Sequence, residues 1–218
     1  MAKSANNLPA IGIFGGTFDP VHFGHLRSAL EVCQQLDLDH VRLMPCHVPP
    51  HRPQPQLKAA ERRLLLELAV KSCPALIVDD RELTRDGPSY SVDTLLSLRS
   101  EFPDNPLFLI LGSDAFRQID SWSRWTQLLD LAHIVVMQRA GEALDLSTAL
   151  QKWLSENLGR PADRESAAGK IWPVAVTPLA ISATDIRAQR VVGESVQFLL
   201  PEAVLTTIDQ LGWYPAQN

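Results

Sequence analysis

The stretch at residues 12–25, GIFGGTFDPVHFGH, constrains the fold more than any other part of the chain. Its first residues end an apolar run at 8–14, which predicts a buried strand. Gly15 and Gly16 then allow the backbone to bend sharply or to approach a ligand closely. From about residue 21 to residue 36, apolar residues recur at helical spacing. The stretch therefore predicts a strand, a glycine turn and a helix in direct succession.

Two histidines lie where this helix is expected to begin. His22 and His25 are three residues apart, so they share one face of the helix if it begins there. The first N–H groups of a helix are unpaired within it, and its dipole favours an anion at that end. Imidazoles, free amides and glycines together suit a phosphate, although the same residues could also form an ordinary solvent-exposed turn.

The composition limits the classes of protein to consider. A chain of 218 residues, 45% of them apolar, is expected to form one domain with a real core. Lys and Arg number 20 against 25 Asp and Glu, which argues against nucleic-acid binding, because that requires a basic face. No apolar run reaches the length of a membrane helix, and the first residues lack the apolar core of a signal peptide. Three widely spaced cysteines predict reduced thiols in a cytoplasmic protein and no zinc site.

Strand and helix patterns alternate along the chain. Strands are predicted at 8–14, 41–44, 75–79, 106–111, 133–137 and 171–176. Helices are predicted at 21–36, 57–72, 91–101, 122–131, 145–158, 182–190 and 201–211. This alternation predicts a single Rossmann-like, doubly wound parallel sheet in one domain, residues 1–218, with helices on both faces. The polar segment 141–169 is expected to be a surface excursion, and a helical C-terminal part is expected from about residue 182.

The helix predicted at 57–72 is amphipathic. Its spacing places Leu64, Leu65, Leu68 and Ala69 toward the core and its charged residues toward solvent.

A proline-rich segment follows the second predicted strand. Its prolines exclude a helix or a central strand at residues 45–55 and predict a loop. In open α/β sheets, ligands bind beyond the C-terminal ends of the strands. His51 and Arg52 are therefore expected to face the glycine turn. The absence of G-x-G-x-x-G after the first strand makes a dehydrogenase a poor interpretation.

A second informative string, ISATDIR, occupies residues 181–187. Ser182 and Asp185 have the spacing of a helix N-cap and the third position of its capping box. The same segment also suits a phosphate, since Ser182 and Thr184 carry hydroxyl donors and Arg187 carries a planar fork of N–H groups.

These strings resemble the signatures of the nucleotidyltransferase superfamily that is related to the class I aminoacyl-tRNA synthetases. Residues 12–25 resemble its G-x-F-D/x-P-x-H-x-G-H signature, and residues 181–187 resemble its I-S-S/A-T-x-I-R motif. Three further strings are similar to those of bacterial nicotinate-nucleotide adenylyltransferases: PPHR at 49–52, GPSYSVDTL at 87–95, and LGSD at 111–114 followed by Trp122. The resemblance covers almost the whole chain outside 141–169.

The resemblance implies transfer of the adenylyl group of ATP to the 5′-phosphate of nicotinate mononucleotide. The products would be deamido-NAD and pyrophosphate, within NAD biosynthesis, and Mg²⁺ would bind mainly through the phosphates of ATP. The implied catalytic residues are His22, His25 and Arg187. The implied ATP- and phosphate-binding residues are Gly15, Gly16, Thr17, Phe18, His51, Arg52, Gly112, Asp114, Ile181, Ser182 and Thr184. The implied nicotinate-binding residues are Trp122, stacking on the pyridine ring, and Tyr90, Ser91 and Ser123 around its carboxylate, largely through main chain.

Other functions remain open from the sequence. A transferase that forms dephospho-coenzyme A from pantetheine phosphate would share both phosphate motifs but lack the string at 87–95. A nicotinamide-preferring enzyme would differ only in the pyridine pocket. A catalytically inactive nucleotide sensor would have little need for His22, His25 and Arg187 together. A nucleic-acid-binding role is disfavoured by the net charge of −5, and whether the chain forms homo-oligomers stays open.

Overall fold

Six parallel strands form one twisted sheet in the computed structural model, which describes residues 8–47, 54–85, 87–139 and 144–216. The strands are β1 (Ile11–Gly16), β2 (His40–Pro45), β3 (Leu76–Val78), β4 (Leu107–Gly112), β5 (His133–Arg139) and β6 (Ile171–Val176). Their order is β3-β2-β1-β4-β5-β6, so the direction of winding reverses between β1 and β4. In such sheets a ligand crevice lies at that reversal, beyond the C-terminal ends of the strands. The predicted Rossmann-like, doubly wound sheet is confirmed.

Helices cover both faces of this sheet. They are α1 (Phe23–Gln35), α2 (Ala59–Val70), α3 (Ser91–Glu101), α4 (Ser113–Phe116), α5 (Leu128–Leu131), α6 (Thr148–Glu156), α7 (Ala183–Val191) and α8 (Glu202–Leu211). Side chains of α1, α2, α7 and α8 pack in one half of the core, and those of α3, α4, α5 and α6 pack in the other. Among the described residues, no helix combines the length and the apolar character needed to cross a bilayer.

The first strand shows how the sequence divides this core. Ile11 and Ile13 belong to one half and Phe14 to the other, because successive side chains of a strand point to opposite faces. Gly12 lies between them, where an added Cβ would approach Cγ2 of Val41 to 2.8 Å. Its lack of a side chain therefore allows close packing around β1. The strand continues through both glycines of the predicted turn and ends at residue 16.

The region from residue 113 to residue 131 differs from the prediction. It contains α4, two 3₁₀ turns at Ile119–Ser121 and Trp125–Gln127, and then α5, where one helix was expected from residue 122. Arg124 has a left-handed backbone with φ of 50°, which a regular helix does not accommodate. The prediction of a continuous helix over 122–131 is therefore wrong in its first half.

The buried face of α2 is also displaced from the predicted one. Leu65 and Leu66 are fully buried, but Leu64, which was expected to point inward, is 39% exposed. Arg62, which was expected to face solvent, is only 1% exposed. Because three leucines follow one another at 64–66, apolar spacing alone does not show which of them points inward. The buried face of α2 begins with Arg62.

The polar segment after β5 is anchored to the core. Leu146 and Leu150 are buried in the half of the core that contains α3, and Trp153 of α6 stacks on Phe116 with 6.0 Å between ring centroids. The last strand, β6, lies at an edge of the sheet, since it pairs only with β5 among the described strands.

Candidate active site

A cleft of about 1050 Å³ lies at the reversal point, beyond the ends of β1 and β4. Its walls come from the turn after β1, the start of α1, residues 54–56, residues 89–91, residues 109–123 and the start of α7. His51 and Arg52 lie outside the described residues. All the other predicted site residues line this cleft: His22, His25, Arg187, Gly15, Gly16, Thr17, Phe18, Gly112, Asp114, Ile181, Ser182, Thr184, Tyr90, Ser91, Trp122 and Ser123.

The two histidines stack on each other at the start of α1. His22 is the N-cap residue, and its ring centroid lies 3.7 Å from that of His25, with 27° between the ring planes. The rings of Phe18 and His25 are in an edge-to-face arrangement, with 5.0 Å between their centroids. A Cβ at Gly24 would approach the His22 ring to 3.0 Å and the carbonyl oxygen of Ile181 to 3.2 Å. Because Gly24 has no side chain, the His22 ring and the segment at residues 181–187 can lie close together.

Burial controls the protonation of His22. The residue is 4% exposed, and this desolvation lowers its pKa to about 4. Its Nδ1 atom is buried and has no hydrogen-bond partner among the described residues. The imidazole is therefore neutral at pH 7 and can offer one N–H to an oxygen in the cleft. A phosphate bound against it would favour the protonated form and raise this pKa.

Asp19, which the sequence reasoning did not single out, organises the turn after β1. Its buried carboxylate accepts the N–H groups of Gln56 and Leu57 at 2.7 and 3.2 Å. It also accepts the hydroxyl of Tyr214 at 2.5 Å. Its backbone carbonyl accepts Nη1 of Arg187 at 2.6 Å. Four segments that are distant in sequence therefore meet at one residue, and only its place inside the histidine signature could have drawn attention to it.

Arg62 is a second buried charged residue that the sequence reasoning missed. Its guanidinium donates to the carbonyl oxygens of Thr17 and Cys46, each at 2.7 Å, and to that of Leu57 at 3.3 Å. It thereby connects α2 to the loops that follow β1 and β2. Nothing in the local sequence separates it from Arg63, which is exposed.

The start of α7 forms another wall of the cleft. Ser182 is its N-cap, and Oγ accepts the N–H of Asp185 at 3.0 Å, which confirms the predicted cap. The Asp185 carboxylate accepts the Ser182 hydroxyl at 2.7 Å, whereas a capping box would use the serine N–H. Arg187 lies one turn further along and approaches the hydroxyl oxygen of Thr184 at 3.4 Å. Hydroxyls, first-turn amides and a guanidinium are thus concentrated on one side.

The opposite wall begins at α3. Tyr90 is the N-cap residue, and among the described residues no side chain caps the first N–H groups of this helix. Trp122 lines the same cleft as Tyr90. An ion pair between Arg124 and Asp93 of α3 ties the tryptophan segment to the start of the helix. A flat ring and unpaired N–H groups together suit an anionic heterocycle.

Besides Asp19, two residues with carboxyl groups line the cleft, Glu82 and Asp114. An added Cβ at Gly112 would approach Oδ1 of Asp114 to 2.6 Å, so the glycine leaves room for that carboxylate at the end of β4. Glu82 is buried and accepts the Thr94 hydroxyl at 2.6 Å, and burial raises its pKa. In the described part of the chain, no cluster of three or more His, Cys, Asp or Glu side chains could hold a metal ion.

Comparison with known proteins agrees with this geometry. The family model described as "Cytidylyltransferase-like" matches residues 13–189. A Pseudomonas fluorescens protein named "Probable nicotinate-nucleotide adenylyltransferase" is 48% identical over 95% of this chain and 98% of its own. A Halorhodospira halophila protein of the same name is 47% identical over 95% of this chain and 96% of its own.

A solved structure supports the fold. It is titled "Plasmodium falciparum nicotinic acid mononucleotide adenylyltransferase complexed with NaAD", with a TM-score of 0.72 at 14% identity, over 95% of this chain and 98% of that one. The same enzyme complexed with APC gives the same values. Together with the close sequence relatives, these findings show that the chain belongs to the cytidylyltransferase-like family and, within it, to the nicotinate-nucleotide adenylyltransferases.

Proposed function

We propose that the protein transfers the adenylyl group of ATP to the 5′-phosphate of nicotinate mononucleotide. The products are deamido-NAD and pyrophosphate, and the reaction is a step in NAD biosynthesis. The observation that best supports this proposal is that the start of α7, the stacked histidines, the start of α3 and Trp122 all line one cleft. Two phosphate-bearing substrates can therefore meet over the histidines.

We infer that ATP occupies the end of the cleft near α7. The hydroxyls of Ser182 and Thr184 and the guanidinium of Arg187 suit its phosphates. The backbone at Ile181 is proposed to receive the adenine. The residues proposed to line the path of the phosphates and the ribose are Gly15, Gly16, Thr17, Phe18, Gly112 and Asp114, with His51 and Arg52 approaching from the second loop.

The chemical step needs positioning and charge neutralisation. An oxygen of the mononucleotide phosphate attacks the α-phosphorus of ATP in line, a new P–O bond forms, and the bond to the bridging oxygen breaks to release pyrophosphate. The attacking oxygen is already anionic, so no general base and no covalent protein nucleophile is required. His22 and His25 are proposed to donate hydrogen bonds to the phosphoryl oxygens, where negative charge must be stabilised in the transition state.

Magnesium is proposed to enter as part of the substrate. The Asp19 carboxylate already accepts three hydrogen bonds, which leaves it poorly suited as a ligand. An ion held mainly by the phosphates of ATP and by water needs no cage of protein carboxylates. The three cysteines of the protein are free, which supports the proposed cytoplasmic location.

Selection of the nicotinate carboxylate is proposed to take place at the start of α3. Main-chain N–H groups near Tyr90, Ser91 and Ser123 can donate to a carboxylate, but they cannot accept from the NH₂ group of a carboxamide. Trp122 is proposed to stack on the pyridine ring. The substrate with the acid group should therefore bind better than the amide.

The test is pyrophosphate release from ATP and Mg²⁺ with each acceptor separately. We expect rapid release with nicotinate mononucleotide, at least about tenfold slower release with nicotinamide mononucleotide, since one charge-assisted hydrogen bond is at stake, and none with pantetheine phosphate. Equal rates with the two mononucleotides would remove the specificity argument but keep the chemistry. Release with pantetheine phosphate alone would identify a different member of the superfamily, and no release with any acceptor would favour a nucleotide sensor.

A further inference from the structure

We propose that Arg62 is a positioning residue that fixes the backbone of the two loops after β1 and β2 for the adenylyl transfer step. The proposal rests on the proposed function. It is based on three hydrogen bonds that the Arg62 guanidinium donates to different segments. The acceptors are the carbonyl oxygens of Thr17, Cys46 and Leu57. Thr17 and Cys46 both line the cleft, whereas Arg62 lies behind them.

The burial of Arg62 is unusual for a residue with only a structural role in a helix. Its side chain is 1% exposed, and it is among the largest fully buried side chains of the protein. Desolvating a charged group has a large free-energy cost, and a well-packed apolar side chain often stabilises such a site better. Among the described residues its hydrogen-bond acceptors are all neutral carbonyl oxygens. What the arginine provides and an apolar side chain would not is therefore the fixed position of those carbonyl groups.

Each hydrogen bond sets the orientation of a peptide plane. In a trans peptide the C=O and the following N–H point in opposite directions, so a fixed Thr17 carbonyl also fixes the direction of the Phe18 N–H. The Cys46 carbonyl shares its peptide with the His47 N–H, which donates to Oγ of Ser89 at 3.0 Å. Ser89 directly precedes Tyr90, the N-cap residue of α3. Arg62 therefore acts directly on the turn after β1. Through one further hydrogen bond it also acts on the start of α3, where the mononucleotide is proposed to bind.

Arginine is suited to this task by its shape. Its planar fork presents N–H groups at fixed angles, so the three carbonyls are held in one mutual arrangement. Lysine keeps the positive charge near the phosphates but is a compact point charge on a flexible stem. The substitution Arg62→Lys consequently separates the geometric role from a purely electrostatic one.

The experiment compares Arg62→Lys with Arg63→Lys as its matched control. Arg63 is the next residue on α2, is exposed, and pairs with Asp80 and Glu67 at the surface. We expect Arg62→Lys to lower kcat about 10- to 100-fold while each KM changes less than about threefold, because misplaced groups act mainly on the transition state. Arg63→Lys should stay within about twofold of the wild type, as surface substitutions do.

Hydrogen–deuterium exchange distinguishes positioning from general stability. We expect Arg62→Lys to speed exchange in peptides that cover residues 15–19 and 44–47, with β4 and α8 unchanged. Faster exchange throughout the chain, or a kcat that is normal once corrected for the folded fraction, would overturn the proposal. If the lysine variant does not fold, Arg62→Met serves instead, since an apolar chain of similar length suits the buried site. A folded Arg62→Met protein with wild-type kcat would equally refute the role.

Failure of this proposal is separable from failure of the proposed function. A wild-type protein that forms no deamido-NAD would refute the function, but the exchange experiment would still report whether Arg62 holds the two loops. A wild-type protein that is active together with an equally active Arg62→Lys would leave the function intact and refute only the role of Arg62.

Discussion

At the scale of single residues, burial has different consequences for the charged and titratable groups around the cleft. Burial keeps His22 neutral by lowering its pKa to about 4. Arg62 is buried more completely, but its N–H groups are provided with three carbonyl acceptors. Asp19 is likewise surrounded by donors. An uncharged imidazole in the cleft therefore lies near charged groups that already have hydrogen-bond partners within the protein, namely backbone groups and, for Asp19, the Tyr214 hydroxyl as well.

His22 should make the protein less stable in acid. Its pKa is near 6.5 in an unfolded chain and about 4 in the folded one, so between these values only the unfolded state gains the proton. Stability is therefore lost as the pH falls from about 6.5 to 4. Between pH 7 and pH 4.5, we expect the free energy of unfolding of the wild type to fall by about 2 to 3 kcal/mol more than that of His22→Gln.

Urea unfolding at each pH provides the measurement. Because His133 is also buried with a lowered pKa, the quantity of interest is the difference between the wild type and the variant, in which the contribution of His133 cancels. Parallel loss of stability in both proteins would mean that His22 is accessible to protons in the folded state.

Sequence motifs predicted the candidate site residues that carry their own chemistry, and the structure places the described ones in one cleft. The histidines and Ser182 belong to ordered motifs, and all of them line the cleft. Asp19 was missed as a junction because its partner Tyr214 is 195 residues away. Arg62 was assigned to solvent because arginine is rarely buried, and no local pattern marks the exception.

At the scale of elements, three helices of nine or more residues begin at the cleft. His22, Tyr90 and Ser182 are the N-cap residues of α1, α3 and α7. The positive ends of three helix dipoles and several unpaired N–H groups are therefore directed toward the same space. Such an arrangement favours the binding of anionic groups, and the reaction brings together two phosphate-bearing molecules.

The N-cap of α7 should serve both stability and ATP binding. Ser182→Ala removes the acceptor for the Asp185 N–H, which we expect to lower the free energy of unfolding by about 1 kcal/mol. The Ser182 hydroxyl hydrogen, which donates to the Asp185 carboxylate here, is expected to turn to a bound phosphate, so its loss should also raise KM for ATP about 3- to 10-fold. Urea unfolding and steady-state kinetics measure the two effects.

Ser147 provides the matched control for this prediction. It is the N-cap of α6 and accepts the N–H of Leu150 at 3.3 Å, but it does not line the cleft. Ser147→Ala should therefore show a similar loss of stability with an unchanged KM for ATP. A KM that rises equally in both variants would attribute the kinetic effect to stability alone.

The bounds of a helix or strand were predictable from the sequence where its apolar residues follow a single periodicity. α3 and β6 have the predicted bounds, since their patterns are unambiguous. Residues 113–127 were not predictable, because their short turns depend on packing of Trp125 against Trp153 and on the left-handed backbone of Arg124. Such tertiary contacts override a local helical pattern.

At the scale of the whole molecule, the two ends of the sheet have separate tasks. The C-terminal ends of the strands open into the cleft, whereas the N-terminal ends are tied together by polar side chains. His133, at the start of β5, pairs with the Ser166 carbonyl at 2.8 Å and accepts the Lys170 N–H at 3.2 Å. Arg99 donates to five carbonyl oxygens, those of Phe102, Pro103, Asn105, Leu131 and Ala167.

Loss of Arg99 should affect stability without affecting catalysis. Arg99→Ala leaves several carbonyls at the N-terminal end of the sheet without a donor, and we expect it to lower the free energy of unfolding by about 2 to 4 kcal/mol. At a temperature where the variant is folded, kcat and both KM values should match the wild type. Lys152→Ala, on the exposed face of α6, is the control and should change neither quantity. Reduced kcat in folded Arg99→Ala would show that the two ends of the sheet are coupled.

The contact between Asp19 and Tyr214 has a consequence for how the protein is made. Asp19 leaves the ribosome 195 residues before its tyrosine partner, a delay of about 10 to 40 s at typical rates of synthesis. During that time the carboxylate lacks one of its donors, and the turn that carries it is incomplete. We therefore expect the candidate site to be among the last parts of the protein to mature, so that a nascent chain that already contains every predicted catalytic residue is not yet active.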